Sequence, residues 1–329
     1  MKEWLAMTSD LERKEAEGAK KRGIGRRRKQ LVLALIVAVL IVLNFFTFIS
    51  AIPETNATDG GCCTNHPLAR DFSAYYVAAW RLFHDPSNIY TSGVVNDGGV
   101  HVAPQPEPFK YLPSMLIFIS PLLVLDYHAA LLAFDVAQLL LLIPIAILIT
   151  KLLQGHSIVV TGAVLAVALL NPSPLSFPSS GFSITYFWQW GEGQSKVLLL
   201  FLLLLSLYFA KKGRPILSGI LLGVASFDPR FALLSLPLFV AYSQSTKRLA
   251  YTLETSILTS AALNLPILLL SSTTADFLKM LFFAGWISTP VYPYAFIPAL
   301  TLAAISIVER RPIVAAVSNL ARREISLTN

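Results

Sequence analysis

The residues placed where they could do chemistry begin with Asp71, in the run Arg70-Asp71-Phe72-Ser73-Ala74-Tyr75-Tyr76, shortly after a long apolar stretch. A carboxylate next to hydrocarbon is costly and tends to be kept for a function. Partly buried at an interface, it can act as a general base that takes a proton from a hydroxyl. It can also open a helix, a place where Asp is favoured. Both readings stand on the residues alone. Tyr75 and Tyr76 are the aromatic neighbours that would line a substrate site beside it.

Further polar points follow along the chain. Phe109-Lys110-Tyr111-Leu112-Pro113 puts a cation and a phenol at the rim of a proline-containing apolar segment. Lys110 can meet a lipid phosphate as a point charge, or snorkel as an interfacial anchor. Glu192-Gly193-Gln194-Ser195-Lys196 opens an apolar run. A glutamine entering a membrane helix needs a hydrogen-bonding partner, either a sugar hydroxyl or another helix. The glycines allow close backbone approach. Trp188 and Trp190, just before, can stack on sugar faces or belong to an aromatic belt. In Asp228-Pro229-Arg230, the arginine can hold a phosphate bidentately, or pair with its own Asp228 across a turn.

Composition says what positions these residues. Of the 329 residues, 55% are hydrophobic and only 14% charged. A soluble domain would carry about a quarter charged residues. The net charge of +7 comes from short basic clusters between apolar runs, with no long basic face for nucleic acid. Walker, GxSxG, His-Glu-x-x-His and Asp-x-Asp motifs are absent from the sequence. The histidines (66, 84, 101, 128 and 156) show no ligand spacing. The adjacent Cys62 and Cys63 form no metal site by themselves. Neither a metal nor a cofactor is expected.

The pattern predicts an all-α polytopic membrane protein. Its spans are at about 31–52, 128–150, 157–171, 194–210, 215–227, 231–243, 249–271 and 291–308. Residues 1–30 form a basic cytoplasmic segment, and 309–329 a basic cytoplasmic tail. The run 112–125 contains Pro113 and Pro121 and is short for a crossing. If it stays on one side, 20 of the 26 Lys and Arg fall in the cytoplasm; if it crosses, the split is 13 to 13. The positive-inside rule therefore puts both termini in the cytoplasm of a multi-pass protein of the cell membrane, with loop 53–127 outside. That loop carries a glycosylation sequon at Asn56-Ala57-Thr58 and a helix near 70–84. Phe72, Tyr76, Ala79 and Phe83 give this helix an apolar stripe for lying in the interface. The short pair 215–227 and 231–243 reads as a hairpin with its polar tip in a wet cavity. Cytoplasmic loops are too short for a catalytic domain, so chemistry belongs on the outer face with a membrane-borne substrate.

The ordered set resembles glycosyltransferase family 87, the polyprenyl-phosphate-mannose-dependent mannosyltransferases of the GT-C superfamily. It consists of Asp71-Phe72-Ser73-Ala74-Tyr75-Tyr76, Tyr90, Phe109-x-Tyr111-x-Pro113, Gly193-Gln194, Lys211-Lys212-Gly213-Arg214-Pro215 and Ser218-Gly219-x-x-x-Gly223, over roughly 31–245. The resemblance implies a GT-C-like fold of about eight transmembrane helices with interfacial helices in the first outer loop. It implies inverting transfer of a sugar from a polyprenyl-phosphate donor to a lipid or glycan acceptor, without metal. Asp71 would be the base. Tyr75, Tyr76, Lys110, Tyr111, Gln194, Lys196 and Arg230 would bind substrate. The chain departs from the family pattern at Leu112 (usually proline), Lys196 (usually asparagine) and Asp228 (usually lysine), and carries no matching signature after 245. A non-catalytic lipid-linked-sugar carrier or membrane assembly subunit on the same scaffold is the alternative. A secondary transporter would show an inverted repeat, and none is visible.

Overall fold

The structure, a computed structural model, describes residues 29–46, 49, 70–91, 93–96, 102–105, 108–154, 158–170, 193, 195–228, 235–236, 238–239, 242–243, 245–269 and 275–278. The sequon at Asn56, Cys62, Cys63, Trp188, Trp190, Gln194, Arg230, most of 231–243, all of 291–308 and both terminal segments lie outside the described residues.

The main helices are α1 (Lys29–Phe46), α2 (Arg70–His84), α3 (Leu116–Ile119), α4 (Tyr127–Leu152), α5 (Ile158–Leu170), α6 (Lys196–Lys211), α7 (Pro215–Ala225) and α8 (Thr246–Leu268). Local chemistry sets their ends. Asp126 caps α4, its carboxylate accepting from the Ala129 amide at 2.9 Å. Ser245 caps α8 through the Arg248 amide at 3.3 Å. Gly213, at φ 72°, closes α6. There the Arg214 amide reaches Phe209 O and the Gly213 amide reaches Ala210 O, each at 3.0 Å. This double bond pattern needs a left-handed residue, which glycine adopts freely. Pro215 then starts α7 with a fixed φ.

Among the described residues, α1 and α4 are the helices both long and apolar enough to cross a membrane. Helices α5, α6 and α7, at 13, 16 and 11 residues, are shorter than a full crossing requires. The segment 112–125 is not one helix. Pro113 and Pro121 each open a new short turn, Pro113–Met115 and Ser120–Val124, on either side of α3.

The described residues are mostly helical, as expected of an all-α membrane protein, but not without strands: β1 (Gly93–Asn96) and β2 (Val102–Gln105) form a short antiparallel ribbon, with Val95 opposite Ala103. Valines flanking Asn96-Asp97-Gly98-Gly99 are the physical cause, being β-branched residues around turn formers. One sequence expectation is corrected: α2 is not buried on one stripe alone. Every residue from Phe72 to Ala79 is buried, while Phe83, a member of the predicted stripe, is 63% exposed. The helix has neighbours all round, in β2, α3, the turn Ser120–Val124 and α4.

Helices α4 and α6 run in parallel. At one end Gly193 meets Leu131, and at the other Lys211 Nζ donates to Leu152 O at 2.7 Å. Ser206 Oγ ties α6 to α7 through Ser218 O at 2.6 Å. Helices α7 and α8 cross closely over Gly219 and Gly223, small residues that let backbones approach. A Cβ at 223 would stand 2.6 Å from Thr259 Cβ and 2.7 Å from Ser256 O. Gly223→Val is expected to push the pair apart and destabilise the protein by about 1–3 kcal/mol. A lowered unfolding midpoint of the purified protein checks this.

Candidate active site

Helix α2 delivers Asp71 and Tyr75 one turn apart, on the same side. Asp71 is the second residue of the helix and half-buried. It therefore lies in the first turn, where the helix dipole favours an anion, and not at the capping position ahead of it. Tyr75 is fully buried. Its hydroxyl lies 3.4 Å from Ser195 Oγ and also hydrogen-bonds Tyr111. Edge-on rings surround it: Tyr111 at 5.1 Å, Phe134 at 6.3 Å and Phe109 at 6.4 Å. Burial pushes the Tyr75 hydroxyl well above the ordinary phenol range, and Tyr111 and the charge of Asp71 add to the effect. Tyr75 is thus a neutral phenol at physiological pH.

The start of α6 is pressed against this helix. Gly193 has φ 62°, and a Cβ there would stand 2.5 Å from Phe72 Cβ. Its lack of a side chain lets the backbone at Gly193 reach Phe72, the residue next to Asp71. Ser195, buried at the entry to α6, meets Tyr75, and Lys196 is the first residue of the helix.

The 109–115 segment closes the other side. Tyr90 donates its hydroxyl to Tyr111 O at 3.1 Å, fastening the loop after α2 to the motif. That loop is itself held by the buried Arg81, whose Nη1 donates to Asn88 O at 3.1 Å and to Thr91 O and Oγ1. The Leu112 amide donates to Phe227 O at 2.9 Å, joining the motif to the turn that follows α7. Phe227 faces Tyr111 at 6.3 Å, and Asp228 is buried next to it. From α8, Asn264 Oδ1 accepts from the Ser114 amide at 2.7 Å, and Asn264 Nδ2 donates to Ser260 O at 2.8 Å. Ser226 Oγ donates to Ser260 Oγ at 2.6 Å, so the same helix also holds the end of α7.

Of the predicted site residues, Asp71, Tyr75 and Tyr111 come together, with Lys196 following the Ser195 that meets Tyr75 and the half-buried Lys110 adjoining Tyr111. Tyr76 does not join them. Its hydroxyl donates to Leu125 O at 2.8 Å and its ring packs edge-on against Tyr127 at 5.5 Å, so it braces the short turns before α4. Gln194 and Arg230 lie outside the described residues. Sequence reasoning missed Ser195, Phe227 and Asn264. Ser195 sat inside a quoted motif, whereas nothing local marks Asn264. Among the described residues, no group of His, Cys, Asp or Glu could hold a metal ion.

A family model described as glycosyltransferase family 87 matches residues 109–308, which is 200 of the 329 residues. The match takes in Lys110, Tyr111, Gln194, Lys196 and Arg230 and continues through α8, beyond the last motif readable in the sequence. Asp71, Tyr75 and Tyr76 precede it. No curated protein and no solved structure matches the chain. With more than half its length matched and two helices apolar enough to span a bilayer, the chain belongs to glycosyltransferase family 87 and is a membrane glycosyltransferase.

Proposed function

We propose that the protein moves a sugar, mannose in the first instance, from a polyprenyl-phosphate donor to a hydroxyl of a lipid or glycan acceptor, with inversion, at the outer face of the membrane. One observation carries this reading: Tyr75 couples the Asp71 helix to both Tyr111 and the Ser195-Lys196 entry of α6, so three separate motifs converge beside one carboxylate. Asp71 takes the proton of the acceptor hydroxyl. The hydroxyl oxygen attacks the anomeric carbon from the side opposite the phosphate. The bond between that carbon and the phosphate oxygen breaks, and the polyprenyl phosphate leaves with the electron pair. Arg230, Lys110 or Lys196 holds its charge, an electrostatic contribution that grows as the bond breaks. Clustering of basic residues at the opposite ends of the spans supports a GT-C-like arrangement of about eight spans, with both termini cytoplasmic.

The test is transfer of radiolabelled mannose from mannosyl-phosphoryl-polyprenol by purified protein in liposomes containing membrane lipid extract. Label is expected in a glycolipid or glycan product, with release of polyprenyl phosphate, and none from a nucleotide sugar. Binding of the lipid donor without turnover would overturn the enzymatic reading. It would favour a lipid-linked-sugar carrier or assembly subunit, a possibility that the Asp228 departure from the family pattern keeps specific.

A further inference from the structure

The end of the helix bundle opposite Asp71 collects cations. Lys151 ends α4, Lys211 and Lys212 end α6, Arg214 precedes α7, and Lys247 and Arg248 start α8. Contacts bring these ends together. Lys211 reaches Leu152 O, and Thr252 Oγ1 on α8 lies 3.4 Å from Pro215 O. In the described stretches 151–154, 211–215 and 245–253 there is no Asp or Glu, and the first acid along α8 is the exposed Glu254. The N-termini of α7 and α8 and the C-termini of α4 and α6 meet here, so the helix dipoles offset one another and the positive charge is that of the side chains.

Lys211 is occupied by the Leu152 carbonyl and lies over the Tyr242 ring at 5.8 Å. Lys151 and Lys212 are different. Both are exposed, and both put Nζ over one ring, that of Tyr208, at 5.5 Å and 5.7 Å from its centre. One phenol thus gathers two exposed ammonium groups. An apolar track leads to them. Leu132, Val136, Leu140, Ile143 and Ile147 are the exposed residues along one face of α4, and Lys151 is the next position on that face.

We propose that this is a binding site for one anionic phospholipid. Its acyl chain lies along the exposed face of α4, and its phosphodiester sits between Lys151 and Lys212 at Tyr208. A free phosphate would use the two ammonium groups but not the track, whereas an anionic lipid uses both. Basic pockets between helix ends at a membrane surface recognise such head groups. This site is independent of the donor-lipid reading, because it lies at the other end of α4 and α6 from Tyr75.

The test is native mass spectrometry of the purified full chain titrated with phosphatidylglycerol and with phosphatidylcholine. Wild-type protein is expected to favour the anionic lipid, and Lys151→Gln/Lys212→Gln to lose roughly thirtyfold in that preference, from the contribution of two surface lysines. Lys151→Arg/Lys212→Arg keeps the charge and is expected to keep the preference, and raised salt is expected to weaken it. Millimolar inorganic phosphate is expected not to displace the lipid. An undiminished preference in the glutamine variant, or displacement by inorganic phosphate, overturns the proposal. If the glutamine variant does not fold, loss of the preference in the arginine variant, or its insensitivity to salt, overturns it equally.

Discussion

Asp71→Asn is expected to lower sugar transfer by about 10²–10⁴-fold, the range that one positioned proton acceptor contributes. The amide has nearly the same shape as the carboxylate, so the packing of α2 should persist. What is lost is the ability to take the acceptor proton, together with a helix-dipole interaction of about 0.3–1 kcal/mol in the first turn. Donor-lipid affinity should change little, because the proposed phosphate-holding residues come from other segments. Initial rates with labelled donor, an unfolding midpoint and donor binding separate these effects. A variant that folds normally and transfers at the wild-type rate would remove Asp71 from the base role.

Gly193→Val carries the second large effect. The residue sits at φ 62°, where a side chain costs about 1–2 kcal/mol in backbone energy alone. Its Cβ would also stand 2.5 Å from Phe72 Cβ and 3.1 Å from Leu131 Cδ1. Relief requires α2 and the entry of α6 to separate, which moves Asp71 relative to Ser195. A displacement of about 1 Å at a reacting centre can cost roughly 10²-fold in rate. Transfer is therefore expected to fall by about that factor, with a lower unfolding midpoint and a smaller effect for Gly193→Ala. Wild-type rate and stability in the alanine variant would show that this contact does not position the site.

What was legible in the sequence was whatever local chemistry writes down. The aromatic run after Asp71 gave the bounds of α2. Pro113 and Pro121 marked breaks, and Gly213-Arg214-Pro215 marked the junction of α6 and α7. The ribbon was legible too, in valines flanking Asn96-Asp97-Gly98-Gly99, but a reading tuned to helices passes over a strand of four residues. Tyr75 and Tyr76 looked equivalent because they are adjacent. On a helix, neighbours diverge by about 100°, so one meets Tyr111 and Ser195 and the other Leu125. Contacts such as Ser114 to Asn264, 150 positions apart, leave no trace in composition or period. The burial of α2 on all sides was hidden for the same reason, since it depends on which segments return to cover it.

The bond from the Leu112 amide to Phe227 O has a consequence for how this chain tolerates change. It belongs to the main chain, so a scan that truncates side chains would pass over position 112 and record nothing but lost packing. Proline, which lacks the donor, is the residue that opens the clasp. Leu112→Pro removes that donor, and with it this main-chain bond between the aromatic segment and the end of α7.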